Sequence, residues 1–202
     1  MKNASKNPKK IGRPRGFDRD AALQAAMRTF WANGYETTSI ADLTGAMGVN
    51  APAIYSAFGN KESLFREAMT LYRGDPEVEA QAIRNAPSSR KAARMILNWA
   101  IDLFTSDDTP KGCFVATSLA TGSEANAPLR IEGVKIRADV ERHLKARIIC
   151  DVNAGDLPSQ TDADALAAMV VCTVQGFSTL ARDGATPAKL RTVADTILKV
   201  WP

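Results

Sequence analysis

Apolar residues recur at helical spacing from near the start of the chain. Leu23, Met27, Phe30 and Trp31 fall on one side of a helix that opens after Asp18 and closes at "NGY", where Gly34 suits the left-handed turn that ends a helix. "SIAD", Ser39 to Asp42, then has the form of a capping box, and Ile40, Leu43 and Met47 mark the buried stripe of a second helix that stops at Gly48. Only "GVN" separates it from a third. Gly48 permits positive φ, Val49 fills the corner, Asn50 caps the new N-terminus, and Pro52 in the first turn loses no hydrogen bond. The third helix is short, ends at Gly59, and turns only Ile54 and Phe58 toward its neighbours. Asn60 caps a fourth, with Lys61 and Glu62 in its first turn. A helix, a three-residue turn containing glycine and a second short helix have helix-turn-helix spacing.

Beyond Arg73 the pattern changes. "RGDPEVEAQAIRNAPSSR" reads as a bend and connection, with Pro76 and Pro87 limiting continuous helix. Helices are expected over about 89–104, 112–123, 129–151, 161–182 and 187–201, with "TSDDTPKGC", "EANAP", "NAGDLP" and "DGAT" as breaks. No stretch alternates as a strand. The expectation is an all-α chain of about nine helices: a basic arm over 1–16, a helix-turn-helix domain over 17–73, and a helical body over 74–202.

The third helix is poor in long side chains for a reason that concerns function. It leaves Asn50, Ala51, Pro52, Ala53, Tyr55 and Ser56 facing outward, and small residues let a helix N-terminus come close to base edges in a major groove. Ala51, Pro52 and Ala53 offer apolar contact to thymine methyls, while the hydroxyls of Tyr55 and Ser56 suit phosphates. Lys61 at the next helix start makes a phosphate clamp, and Thr38 and Ser39 offer similar chemistry on the opposite flank. Charge agrees. The net charge is +4; up to Arg73 there are eleven Lys and Arg against six Asp and Glu, and beyond it fifteen against sixteen. A basic terminal module on a neutral body is what phosphate neutralisation requires. Within "KKIGRPRG", Lys9, Lys10, Arg13 and Arg15 form an arm able to enter an adjacent minor groove.

The stretch from Gly12 to Met69, with "FxxxGY" closing the first helix, then "TSIADL", "GVN.P.IY..F" and "NKE.LF", closely resembles the N-terminal domain of the TetR/AcrR transcriptional regulators. That resemblance implies a third helix in the major groove, with Tyr55 and Lys61 on phosphates. It departs at Ala57, where many members have histidine. It also implies that the last two helices pair with their two-fold mates in a four-helix bundle, so that 74–202 serves as the effector-binding and dimerisation domain. Leu180, Ile197 and Trp201 are the expected interface residues, on faces more apolar than one core needs. The partners then implied are a second copy of the chain, a partly palindromic double-stranded operator with half-sites about 34–36 Å apart, and an unidentified small-molecule effector.

Candidate lining for an effector pocket is Trp99, Cys113, Phe114, Thr117 and Cys172. The function expected is a repressor released from its operator by that ligand. The alternative is a repressor released by thiol oxidation at Cys113, beside Lys111. An enzyme would have to use Asp139, His143 and a cysteine, but no nucleophile elbow, phosphate loop or dinucleotide fingerprint accompanies them, so no catalytic residue is assigned.

Composition narrows the picture further. Three cysteines without a CxxC and a single histidine give neither a disulfide framework nor a metal site, and no cofactor is expected. With 45% apolar and 24% charged residues, no apolar run of bilayer length and no signal-peptide core, the expected location is the bacterial cytosol, on the nucleoid when DNA-bound.

Overall fold

The computed structural model describes residues 17–120 and 123–202, and within these every regular element is helical. In the N-terminal domain α1 (Arg19–Asn33), α2 (Ile40–Met47), α3 (Ala51–Phe58) and α4 (Lys61–Arg73) start where their caps predict. Asp18 accepts hydrogen bonds from the amides of Asp20 and Ala21, Asn50 from that of Ala53 and Asn60 from that of Ser63, while Ser39 and Asp42 close a reciprocal capping box. Gly48, with φ 67°, supplies the left-handed corner between α2 and α3.

The body contains α5 (Pro76–Arg84), α6 (Ser89–Phe104), α7 (Phe114–Ser118), α8 (Ala127–Ala154), α9 (Ala163–Arg182) and α10 (Pro187–Ile197). The segment expected to be a connection is therefore a helix. Asp75 caps it by accepting from the Glu77 amide, and Pro76 sits in its first turn, where a proline starts a helix rather than breaking one. Burial of Ala80 and Ile83 then fixes α5 against the body. Conversely, the helix expected from Gly112 shrinks to five residues. Gly112 has φ 87° and lies so close to α9 that a Cβ would fall 2.8 Å from the Ser178 carbonyl oxygen; Cys113 offers no side-chain cap, although its amide donates to Ser178 Oγ at 2.8 Å.

Two apolar cores result. The N-terminal one includes Phe30, Trp31, Leu43, Ile54, Leu64 and Phe65; that of the body includes Leu97, Ile101, Leu144, Ile148, Val170 and Phe177. α7 joins them. Phe114 belongs to the body in sequence but is fully buried in the N-terminal core, with its ring 5.3 Å from those of Phe65 and Tyr72 and 5.9 Å from Trp31. The Tyr35 amide donates to the Ser118 carbonyl at 3.0 Å, and Ser118 Oγ donates to the Phe30 carbonyl at 3.0 Å. Gly133 of α8 lets α7 nest against it, since a Cβ there would meet Val115 Cγ1 at 2.9 Å. α4 is tied to α8 by two ion pairs, Arg66–Glu132 at 2.8 Å and Arg73–Asp139 at 2.6 Å, spaced two helical turns apart on both helices.

Elsewhere in the body Asp151 is buried, accepts from the Ser89 amide at 2.6 Å and pairs with Arg147. Burial alone would raise its pKa, but the Ser89 hydrogen bonds and the Arg147 charge hold it below the ordinary carboxylate value. Trp201 Nε1 donates to Ser89 Oγ at 3.3 Å, so this residue, expected at an interface, lies in the core of the single chain. One further expectation fails: α9 is long and apolar enough to cross a membrane by length and composition, with a mean hydropathy of 1.4. It packs one side on α6 and α8, which accounts for part of that apolar character and leaves an outward face of Ala165, Cys172, Gly176 and Thr179.

Removing the Phe114 ring should open a cavity at the joint. Phe114→Ala is expected to lower stability by about 3–5 kcal/mol in urea unfolding at pH 7, and to make the N-terminal domain more sensitive to protease than the body. A variant as stable and as resistant as the parent would mean that Phe114 does not hold the two cores together.

Candidate nucleic-acid interface and effector cavity

The surface presented by α3 follows from its two buried residues. With Ile54 fully buried and Phe58 nearly so, Pro52, Tyr55 and Ser56 stand in solvent and Ala51 and Ala53 are half-buried. Tyr55 keeps 48% of its surface exposed and belongs to neither core cluster. Asn50 is exposed too, its Oδ1 occupied by the Ala53 amide at 2.9 Å. The helix is held in position by Arg19, which sequence reasoning did not identify. Its guanidinium donates to the Ala57 carbonyl at 3.2 Å, pairs with Glu67 at 2.7 Å and lies 4.4 Å over the Phe58 ring.

The flanks differ from each other. Lys61 Nζ donates to the Glu36 carbonyl at 3.4 Å and sits 4.6 Å over the Tyr35 ring; burial lowers its pKa, while Glu36 and Asp42 act in the opposite sense. The ammonium is thus held near the α4 start. On the other flank Thr38 is a correction, because its side chain is fully buried and its hydroxyl donates to the Gly34 carbonyl at 2.6 Å. That hydroxyl closes the α1–α2 turn and cannot reach a phosphate. Ser39 is exposed, but its amide and hydroxyl both donate to Asp42 Oδ2, at 2.8 and 2.7 Å. These hydrogen bonds lower the Asp42 pKa and fix a carboxylate at that helix start.

Arg13 and Arg15 lie outside the described residues. Residues 17–73 hold five Lys and Arg against six Asp and Glu, so the positive excess of the first third lies entirely in residues 1–16.

A cavity of about 480 Å³ opens where α4 ends, between α5, α6, α8 and α9. Its wall is mostly apolar, with Ile83, Met95, Ile96, Trp99, Val140 and Val174 among the lining, and Arg73, Glu79 and Arg137 as polar groups. Of the five residues expected to line a pocket, Trp99 does so here. Phe114 is core, for the reason given above. Thr117 borders a separate recess of about 200 Å³ beside Tyr35 and Arg182, and Cys172 is on the outer face of α9. Cys113 is half-buried at the joint between the domains, where Tyr72 OH donates to its Sγ at 3.5 Å. Burial, and then the neighbouring Cys113, push the Tyr72 phenol pKa far up, which keeps it a hydrogen-bond donor. No sequence signal marks the cavity, because the segment forming one wall, α5, reads as a connection.

The two groups considered for enzymatic chemistry do not meet. The Asp139 carboxylate is taken by Arg73 and Arg142, each at 2.6 Å, and burial lowers the His143 pKa. Among the described residues no cluster of His, Cys, Asp and Glu is placed to hold a metal ion. Leu180 and Ile197 are half-buried, and Leu180 packs on the body core.

Comparison with known proteins fits this geometry. Residues 22–68 match the family model for bacterial regulatory proteins of the tetR family, and residues 92–197 match that for the tetracyclin repressor-like C-terminal domain. The chain is 39% identical over 197 residues to the HTH-type transcriptional repressor ComR of Escherichia coli (strain K12), covering 96% of this chain and 93% of that protein. It is 30% identical over 105 residues to the HTH-type transcriptional repressor BdcR of the same strain, about half of each chain (52% and 53%). Among solved structures, a triple cysteine variant of the TetR family transcriptional regulator CifR, complexed with 26-bp double-strand operator DNA, superposes with a TM-score of 0.87 at 38% identity, covering 95% of this chain and 100% of that one. These relatives are regulators rather than enzymes.

Tyr55→Phe should weaken specific DNA binding by about 0.5–1.5 kcal/mol through loss of one hydrogen bond. Lys61→Ala should reduce the slope of log affinity against log salt by about one unit. Fluorescence anisotropy over a salt series measures both, with thermal unfolding as the control. Parent-like affinity and slope in two folded variants would remove these residues from the interface.

Proposed function

Since this chain belongs to the tetR family of bacterial regulatory proteins and is a DNA-binding transcriptional regulator, we propose that it is a cytosolic homodimeric repressor released from a partly palindromic operator by a small molecule. The observation carrying this reading is the position of the cavity. Its wall includes Arg73, the last residue of α4, and α4 is part of the domain that presents α3. A ligand there shifts the α4–α8 ion pairs, and so the spacing of two recognition helices, only to the extent that it binds one arrangement better than the other. The DNA-contact set is Asn50, Ala51, Pro52, Tyr55, Ser56 and Lys61, with Ser39 at the rim and Arg13 and Arg15 from the arm.

The dimer is assigned to the outward faces of α9 and α10. Leu180 and Ile197 are half-buried within one chain, so the exposed small residues of α9 give the cleaner test. Gly176 has no neighbour within 4 Å of an added Cβ, and an arginine there is compatible with the monomer fold. Gly176→Arg should yield folded monomers by sedimentation, with greatly weakened retardation of DNA from upstream of the protein's own gene. Stable dimers would place the interface elsewhere; absence of specific retardation by the parent protein would end the operator reading.

A second reading, release by oxidation, is favoured by one observation. Cys113 lies at the interdomain joint, against Tyr72 and next to Phe114 in sequence, so a modified sulfur would disturb the packing that orients the N-terminal domain. Cys113→Ser is expected to bind DNA as the parent does yet resist peroxide. A serine variant that still dissociates on peroxide treatment would return Cys113 to a packing role.

A further inference from the structure

The polar groups of the cavity constrain the chemistry of what it holds. Arg73 pairs with Asp139 through one terminal nitrogen, but its Nε is buried and has no hydrogen-bond partner. Arg137, on the same wall, makes no ion pair or side-chain hydrogen bond among the described residues. Two guanidinium groups thus border a largely apolar space that Glu79 and Asp75 also line, and Arg137 has no counterion among the described residues. A cationic ligand would face both. A neutral one would leave Arg137 without a counter-charge.

Resting on the effector site proposed above, we propose that the ligand is a compact amphipathic monoanion, an aryl or alkyl carboxylate, whose head group engages Arg137 and Arg73 while its apolar part lies along Trp99 and Ile96. A carboxylate matches the planar fork of a guanidinium, and the cavity volume of about 480 Å³ falls in the range of small-molecule sites. Glu79 is the one acidic side chain on the inner wall, since Asp75 is exposed at the rim and caps α5. Burial, and Asp139 with it, raises the Glu79 pKa against the pull of Arg73. The carboxylate also competes with Asp139 for Arg73. It therefore loosens the lower of the two ion pairs between α4 and α8, which is the link from the cavity to the DNA-reading domain.

The test uses the full chain and three matched probes: 4-phenylbutyrate, 4-phenylbutanol and 4-phenylbutylamine, followed by calorimetry and tryptophan fluorescence. The acid is expected to bind about tenfold tighter than the alcohol, with the amine weakest. Arg137→Gln, a half-exposed position that the fold tolerates, should remove most of that preference while leaving alcohol affinity unchanged. Arg137→Lys should restore part of it. Asp139→Asn frees Arg73 and should tighten acid binding severalfold. Equal binding of acid and alcohol, an acid preference that survives Arg137→Gln, or no acid binding at millimolar concentration would each overturn the assignment. DNA release is read separately. Selective acid binding without release supports the head-group assignment and ends the release reading; release by alcohol and amine as readily as by acid ends the assignment and leaves the release reading standing.

Discussion

The burial of Phe114 in the core of the preceding domain is the contact on which the arrangement depends. One ring from the body fills the space between Trp31, Phe65 and Tyr72, so the helices that carry α3 are built around a residue the body supplies. Ring pairs of this kind add about 0.5–1.5 kcal/mol each beyond the burial of their area. The surrounding geometry serves this insertion. Gly112 brings the chain against α9, Gly133 admits α7 against α8, and Ser118 ties the end of α7 to the end of α1.

The other connection between the domains has a different physical character. Arg66 and Glu132 are well exposed, Arg73 and Asp139 less so, and pairs of this exposure contribute about 0–1 kcal/mol. They set orientation without locking it. An apolar joint thus stands beside a weaker, ionic one. The cavity borders the ionic connection, at Arg73. Packed cores deform in steps whereas ion pairs exchange partners more readily, so the proposed effector would act on the weaker of the two connections.

The DNA-reading surface divides its labour in a similar way. Residues 17–73 carry slightly more acidic than basic groups, and Asp42 places a carboxylate beside the α2 start. In the proposed interface, attraction at a distance is assigned to residues 1–16, and fit at contact to α3 with its small side chains and exposed Tyr55. Arg19 connects these tasks to the fold by fixing the C-terminal end of α3 against α4.

How much of this was legible in the sequence depended on range. The starts of α1 to α4, the left-handed corner at Gly48, the burial of Ile54 and Phe58 and the exposure of Tyr55 and Ser56 were all readable, because a cap or a helical stripe is decided within about four residues. The same local signals misled where a partner far along the chain had the decisive contact. Pro76 looked like a breaker until Ile83, in the helix it starts, found the body core; Thr38 is a local exception, its hydroxyl closing the α1–α2 turn onto Gly34 four residues back. Trp201 looked like an interface residue, yet it bonds to Ser89, 112 positions away. The cavity has walls from five helices, and Phe114 sits among rings from α1 and α4. Sequence determined α1 to α4 and the outward face of α3, since those follow from periodicity and caps. Tertiary structure alone decided which apolar residues join the domains and which line a ligand space, because that choice is made by packing between segments that no local pattern relates.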